Sequence, residues 1–167
     1  MSDATPFIVD VVKARGHPNI RAAHKTTLEL TKEPHVTPRG DCIIGVNSSK
    51  SAAELEFNLK KALQNSQWLI LILYLPSLGI YDYLIANGAP TLQFTDSKSI
   101  VVRRSTYVDG RTIAINSNKA ARDLNPLLRE HLQNSNTILE AILIATKDPQ
   151  QLASKIEYIL KQVTNSF

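Results

Sequence analysis

The sequence predicts an α+β fold: a β-rich barrel or sandwich built from two pseudo-symmetric β-β-(β)-α-β repeats, with two or three helices packed outside. Three observations predict it. Part of the chain repeats after 69 residues. Each copy reads as short strands, one helix and one apolar closing strand. Neither copy has enough elements to bury a core alone, so the two must share one. The 167 residues then form a single domain, 1–167, with halves near 6–76 and 80–146 and a C-terminal helix over 148–163.

The repeat is gapless where it is strongest. Ile44–Ser66 lies on Ile113–Ser135 with eleven identities in 23 positions, where residue frequencies give about one or two by chance. Among the identities is Asn-Ser-x-Lys, at Asn47, Ser48, Lys50 and again at Asn116, Ser117, Lys119. Upstream, Ala14-Arg15-Gly16-His17-Pro18 matches Ala86-Asn87-Gly88-Ala89-Pro90 at a slightly different offset.

The elements follow in order. Phe7–Ala14 reads as a strand, closed by the turn Gly16-His17-Pro18. Ala22–Thr31 alternates, with His24, Thr26, Leu28 and Leu30 on one face. The loop Pro34–Gly40 leads to a short strand, Asp41–Val46. A helix capped by Ser48 or Ser49 follows, with Ala52, Leu55, Leu59, Ala62 and Leu63 at helical spacing. Trp68–Leu75 is wholly apolar, the mark of a strand covered on both faces. In the second half, strands are expected around Ile80–Ala86, Thr91–Thr95, Ser99–Tyr107, Arg111–Asn116 and Thr137–Ala145. Its helix starts at Asn118, and Pro126 demands a kink or a late start. Asp148-Pro149 opens the last helix.

Composition narrows the function classes. One cysteine, Cys42, excludes an intramolecular disulfide and suits a reducing, cytoplasmic setting. Met1–Thr5 lacks the basic start and apolar core of an export signal. Trp68–Ala86 is nearly long enough to cross a bilayer, but Pro76, Ser77, Gly79 and Asp82 break it, so two strands joined by a turn are expected and no membrane span. A net charge of +4 permits an anionic partner. Four scattered histidines and a lone cysteine form no zinc pattern, and no metal is expected. Arg39-Gly40-Asp41 and Asn47-Ser48-Ser49 match adhesion and glycosylation patterns that act only outside the cell.

Several segments together resemble a family found mainly in archaea and known as domain of unknown function 371. They are Ala14–Asn19, His24–Glu29 and Thr37–Val46, and in the second half Gly88-Ala89-Pro90, Val102–Ser105, Arg111-Thr112 and Lys119-Ala120-Ala121. The resemblance runs from about Val9 to Ala145. It implies an archaeal cytosolic protein with a β-rich fold and brings no activity, cofactor or site residues. Gly40-Asp41 before a strand also resembles loops of cradle-loop barrels.

Three function classes stand. The leading one is a binding protein for a phosphate-bearing partner, RNA or a nucleotide. Ser48, Lys50, Ser117 and Lys119 would form an anion site at paired helix starts, where free amides and the helix dipole converge. Arg39, Arg104 and Arg111 would surround it with positive charge. The plain alternative is that these serines and asparagines only cap helices. True P-loop and dinucleotide glycine patterns are absent, and no cofactor is expected. Tyr107 is the only aromatic nearby for a base to stack on.

The second class is a small-molecule enzyme using His24, Asp41 and Cys42, with His17 as a further base. Against it, a strand cysteine is commonly a buried inert thiol, and His24 shares its expected face with Leu28 and Leu30. The third class is a structural subunit, or a homo-oligomer, docking through the C-terminal helix or an open sheet edge.

Overall fold

Trp68–Leu75 and Ile138–Thr146 are the longest apolar stretches that the pattern allows as strands, and they pair with each other at the centre of the molecule. The computed structural model describes residues 7–165. Residue 6, where the first half is read to begin, and the leader reading of Met1–Thr5 lie outside the described residues. In chain order the strands are β1 (Ile8–Arg15), β2 (Thr27–Thr31), β3 (Ile43–Gly45), β4 (Trp68–Leu75), β5 (Ile80–Asn87), β6 (Ser99–Arg103), β7 (Thr112–Ala114) and β8 (Ile138–Thr146). The helices are α1 (Phe57–Gln64), α2 (Pro126–His131), α3 (Pro149–Ala153) and α4 (Ile156–Asn165), with 3₁₀ turns at Ala52–Glu54 and Ala121–Asp123.

These make two four-stranded sheets of order β1-β8-β4-β5 and β3-β2-β6-β7. The first is antiparallel throughout. In the second, an antiparallel β2–β6 pair is flanked by β3 and β7, each parallel to its neighbour. The described residues form no closed barrel. Only single bridges, Arg15–Val46 and Asn87–Ile115, join the edges of one sheet to the chain just past β3 and β7. The fold is α+β, and its order of elements in Ile8–Leu75 recurs in Ile80–Thr146.

One core fills the space between the sheets, with Leu69, Leu71, Leu73 and Leu143 from the first and Leu28, Leu30, Ile100 and Val102 from the second. Leu59, Leu63, Leu128 and Leu132 bring the apolar stripes of α1 and α2 into it. A second cluster accounts for the unbroken apolar run of β4. Ile70, Ile72, Ile142 and Ile144 face outward and are covered by Leu152, Ile156, Ile159 and Leu160 of α3 and α4. From Leu69 to Leu73 each residue of the run is buried, on one face of the sheet or the other.

The structure corrects several boundaries. The alternating stretch Ala22–Thr31 is a strand only from Thr27, and Leu28, Glu29, Leu30 and Thr31 are all buried because both of its faces are covered. Thr91–Thr95 is irregular, with Phe94 in the left-handed region at φ 51°. The helices do not start at Ser48 or Asn118. Each Asn-Ser-x-Lys is followed by a 3₁₀ turn, and α1 and α2 begin only at Phe57 and Pro126, capped by the Glu56 and Asn125 side chains. Pro126 suits the late start that α1 also shows at the matching Phe57, since a proline at the first helical position forfeits no hydrogen bond. The C-terminal helix is two, broken where the Ser154 hydroxyl bonds back to the Gln151 carbonyl.

Candidate functional site

The repeated Asn-Ser-x-Lys performs the same local task twice. Asn47 and Asn116 adopt φ of 53° and 52°, a left-handed turn that asparagine tolerates. The turn lets successive amides reach both sheets: Ser48 N–H bonds to Thr31 and Ser49 N–H to Lys13. In the second half Ser117 N–H bonds to Arg103 and Asn118 N–H to Ile85. The Ser48 and Ser117 hydroxyls each donate 2.6 Å bonds to the carbonyl two residues on. Both serines are 5 % exposed, so neither offers its hydroxyl to a ligand.

The lysines are likewise engaged. Lys50 Nζ holds both oxygens of Asp10, at 2.8 and 2.9 Å, and Lys119 Nζ lies 2.6 Å from Asp82. The same carboxylates accept the Glu56 and Asn125 amides, at 2.9 and 2.8 Å, just ahead of the helices. The positive ends of α1 and α2 therefore meet acidic or amide caps. No paired anion cradle of Ser48, Lys50, Ser117 and Lys119 is open at the helix starts, because those starts lie several residues further on.

This arrangement also closes two sheet edges. Along β1, the Val11, Lys13 and Arg15 amides bond to Asp10 Oδ1, Ser49 Oγ and the Val46 carbonyl. Along β5, Tyr83, Ile85 and Asn87 bond to Asp82 Oδ1, Asn118 Oδ1 and the Ile115 carbonyl. Amides so occupied cannot template another strand.

The outer face of the β3-β2-β6-β7 sheet carries a polar network. Glu29, 8 % exposed, accepts from Ser99 Oγ at 2.9 Å and from Cys42 Sγ at 3.4 Å. Arg111 approaches Glu29 at 3.7 Å but is bound to Asp109 at 3.0 Å. Arg103, also 8 % exposed, bonds to Thr112 Oγ1 and Asp109. Burial opposes ionisation of Asp109, but the hydrogen bonds and charge of Arg111, with the charge of Arg103, outweigh it and hold the carboxyl at about 2. Arg111 is thus a fixed partner of two carboxylates.

The catalytic candidates are brought side by side by the backbone, His24 against Asp41 and so next to Cys42, but no hydrogen bond joins the His24, Asp41 and Cys42 side chains to one another among the described residues. His24 lies in the loop before β2, and its Nδ1 accepts from the Thr26 and Thr27 amides, both at 3.1 Å. Asp96 caps the matching turn before β6, its carboxylate accepting from Lys98 and Ser99. Asp41 contributes its carbonyl, which accepts from Ala23 and His24. Burial first, then the charge and hydrogen bond of Glu29 and the charge of Asp41, push the Cys42 thiol up to about 12, against a smaller pull from a backbone hydrogen bond. A thiol that stays protonated is a poor nucleophile. His17 Nδ1 accepts from the Asn19 amide and shapes its turn.

A different group of side chains is left open. The Arg122 amide bonds to His24, the His24 amide to Asp41, and the Arg104 amide to Thr26. These contacts set four segments side by side, and they carry the exposed cations Arg21, Lys25, Arg39, Arg104 and Arg122. The only carboxylates on these segments are Asp41 and Asp123, and Asp123 pairs with Arg104 at 3.1 Å. Arg21, Lys25, Arg39 and Arg122 make no ion pair among the described residues. At the other end of β2 and β6 the same backbone contacts recur, from Ala53 to Asp96, Asp96 to Gly110 and Lys32 to Lys98. There both lysines are neutralised: Lys32 pairs with Glu54 at 2.7 Å and Lys98 with Glu33 at 3.2 Å.

Residues 12–146 match the family model described as domain of unknown function (DUF371). The chain belongs to this family. It is also similar to the uncharacterized protein MJ0206 of Methanocaldococcus jannaschii, at 37 % identity over 134 residues, which span 80 % of this chain and 98 % of that protein. The family match takes in β1 from Val12, the other seven strands and the basic segments, and ends before α3 begins. Among the described residues, no helix is long and apolar enough to cross a membrane, and no group of three or more metal-ligating side chains is assembled.

Sequence reasoning singled out Arg39 and Arg104 but missed Arg21, Lys25 and Arg122, and it missed Asp10 and Asp82 as the lysines' partners. The available signal was a mismatch: Arg122 stands where the first copy has Ala53. Identity between the copies drew attention to residues that hold the backbone.

Proposed function

We propose that this protein binds a phosphate-bearing partner through the basic face formed by Arg21, Lys25, Arg39, Arg104 and Arg122, with no contribution from the helix starts. One observation carries the reading. Five exposed cations gather on four adjoining segments with few carboxylates: Arg104 pairs with Asp123, as Lys32 pairs with Glu54 across the molecule, but Arg21, Lys25, Arg39 and Arg122 make no ion pair among the described residues. Unpaired surface charge of one sign costs self-repulsion, and an anionic partner relieves it. Guanidinium groups suit phosphate oxygens, which they meet with two parallel hydrogen bonds.

We read the two halves as copies of one ancestral unit. The shared Asn-Ser-x-Lys, its carboxylate partner and the recurring element order support this. On that reading the residues common to both copies maintain the fold, and the basic face arises where the copies diverge.

The test is calorimetric titration with inorganic polyphosphate at low salt. The wild type is expected to bind, an Arg104→Gln/Arg122→Gln variant at least about tenfold more weakly, and a folded Lys50→Gln/Lys119→Gln variant as well as wild type. Loss of about tenfold corresponds to about 1.4 kcal/mol, within reach of two charge-assisted contacts. Absence of binding by the wild type at low salt would sink the proposal.

A further inference from the structure

Tyr107 is a large aromatic side chain left 59 % exposed, yet it is held in place. The Arg103 guanidinium lies 4.8 Å from its ring centroid. Arg103 is itself 8 % exposed and anchored by Thr112 Oγ1 at 2.9 Å and Asp109 at 3.1 Å. The Tyr107 amide is tied to Ser105 Oγ at 3.3 Å. The anchored guanidinium restrains the ring from one face, while more than half of Tyr107 stays in water. Arg104, between Arg103 and this loop, bonds through its amide to Thr26 next to Lys25. Tyr107 thus stands three residues beyond Arg104, in the loop that leaves the basic face.

Resting on the reading of that face as a phosphate site, we infer that its partner is a single-stranded nucleic acid, with phosphates along the cations and one base stacked on Tyr107. A duplex hides the faces of its bases within the stack, so a surface ring such as this gains nothing from it. A mononucleotide offers its phosphates at one point, whereas these cations are distributed over four segments. A single strand presents both features at once: spaced charges and free aromatic faces. The pinned ring is pre-organised, so stacking on it forfeits little side-chain freedom.

The probe is a labelled uridine dodecamer followed by fluorescence anisotropy. Beside it run an abasic strand of equal length and charge, the matching duplex, and a thymidine dodecamer. The uridine strand is expected to bind about tenfold more tightly than the abasic strand and the duplex. Tyr107→Ala should erase that margin without weakening abasic-strand binding, and Tyr107→Phe should keep it. A thymidine strand that binds equally supports recognition of bases on either sugar, and one that binds less supports RNA. Equal binding of uridine, abasic and duplex probes, lost only in Arg104→Gln/Arg122→Gln, would overturn base stacking while leaving the phosphate reading intact. No binding of any probe at low salt would remove both.

Discussion

Lys50 and Lys119 owe their positions to two carboxylates that lie far from them in sequence. Asp10 and Asp82 each serve a lysine, a helix-entry amide and the free edge of a strand. With side-chain exposures of 10 and 12 %, they are nearly dry, while the lysines keep about a third of their surface in water. Removing a carboxylate leaves buried donors unsatisfied, whereas a lysine that loses its partner partly rehydrates. Asp10→Ala and Asp82→Ala should each therefore cost about 2–3 kcal/mol, read from urea midpoints, and the two costs should be similar. A loss near zero at either site would mean that the pair is ornamental there. Of this cluster, the local motif was legible in the sequence because its parts are adjacent. Its carboxylate was not, because partners 40 and 37 residues away share no periodicity with the lysines they bind.

Among elements, the helix ends explain the repeated Ala-x-Gly-x-Pro. A Cβ at Gly16 would sit 2.2 Å from the Asn134 carbonyl oxygen and 2.6 Å from that of Leu132, just past α2. A Cβ at Gly88 would sit 2.2 Å from the Leu63 oxygen and 2.6 Å from that of Gln67, at the end of α1. Each glycine thus lets the chain leaving an edge strand pass against the helix end of the other half. The clashing atoms are backbone and cannot swing aside, so Gly16→Ala and Gly88→Ala should each cost about 1–3 kcal/mol or more in chemical denaturation. A neutral effect would show that the helix end shifts freely. Strands with one pattern throughout, such as β4 and β8, could be read directly. Helix starts could be read only in part: Pro126 and Asp148-Pro149 marked where α2 and α3 begin, but Ser48 and Ser117 have the chemistry of caps while Glu56 and Asn125 do the capping. The 3₁₀ turns between them carry no sequence period of their own.

In the whole molecule, two kinds of information lie in different places. The two halves agree where the backbone needs them to: at the left-handed asparagine, the serine turn and the lysine–carboxylate pair. They differ at the two ends of the β2–β6 pair: both hold an ion pair, Arg104–Asp123 and Lys32–Glu54, but only one adds the cations Arg21, Lys25, Arg39 and Arg122, which make no ion pair among the described residues. The α+β class and one core shared between the two sheets were legible from one sequence. The candidate site was only half legible, through Arg39 and Arg104, because charge excess at a surface depends on which segments the sheets bring together. The upward push on the Cys42 thiol counts against a cysteine nucleophile in the enzyme reading, and docking through the edges of β1 and β5 meets amides already bonded.

The most direct test of the account is the salt dependence of single-strand binding. Each phosphate neutralised on a single strand adds about 0.7 to the slope of log affinity against log salt. Arg104→Gln/Arg122→Gln should flatten that slope by about 1.4, while Lys50→Gln/Lys119→Gln, checked for folding by its urea midpoint, should leave it unchanged. The opposite result would contradict the account: a slope insensitive to the arginines and lost with the lysines would return the binding site to the repeated Asn-Ser-x-Lys.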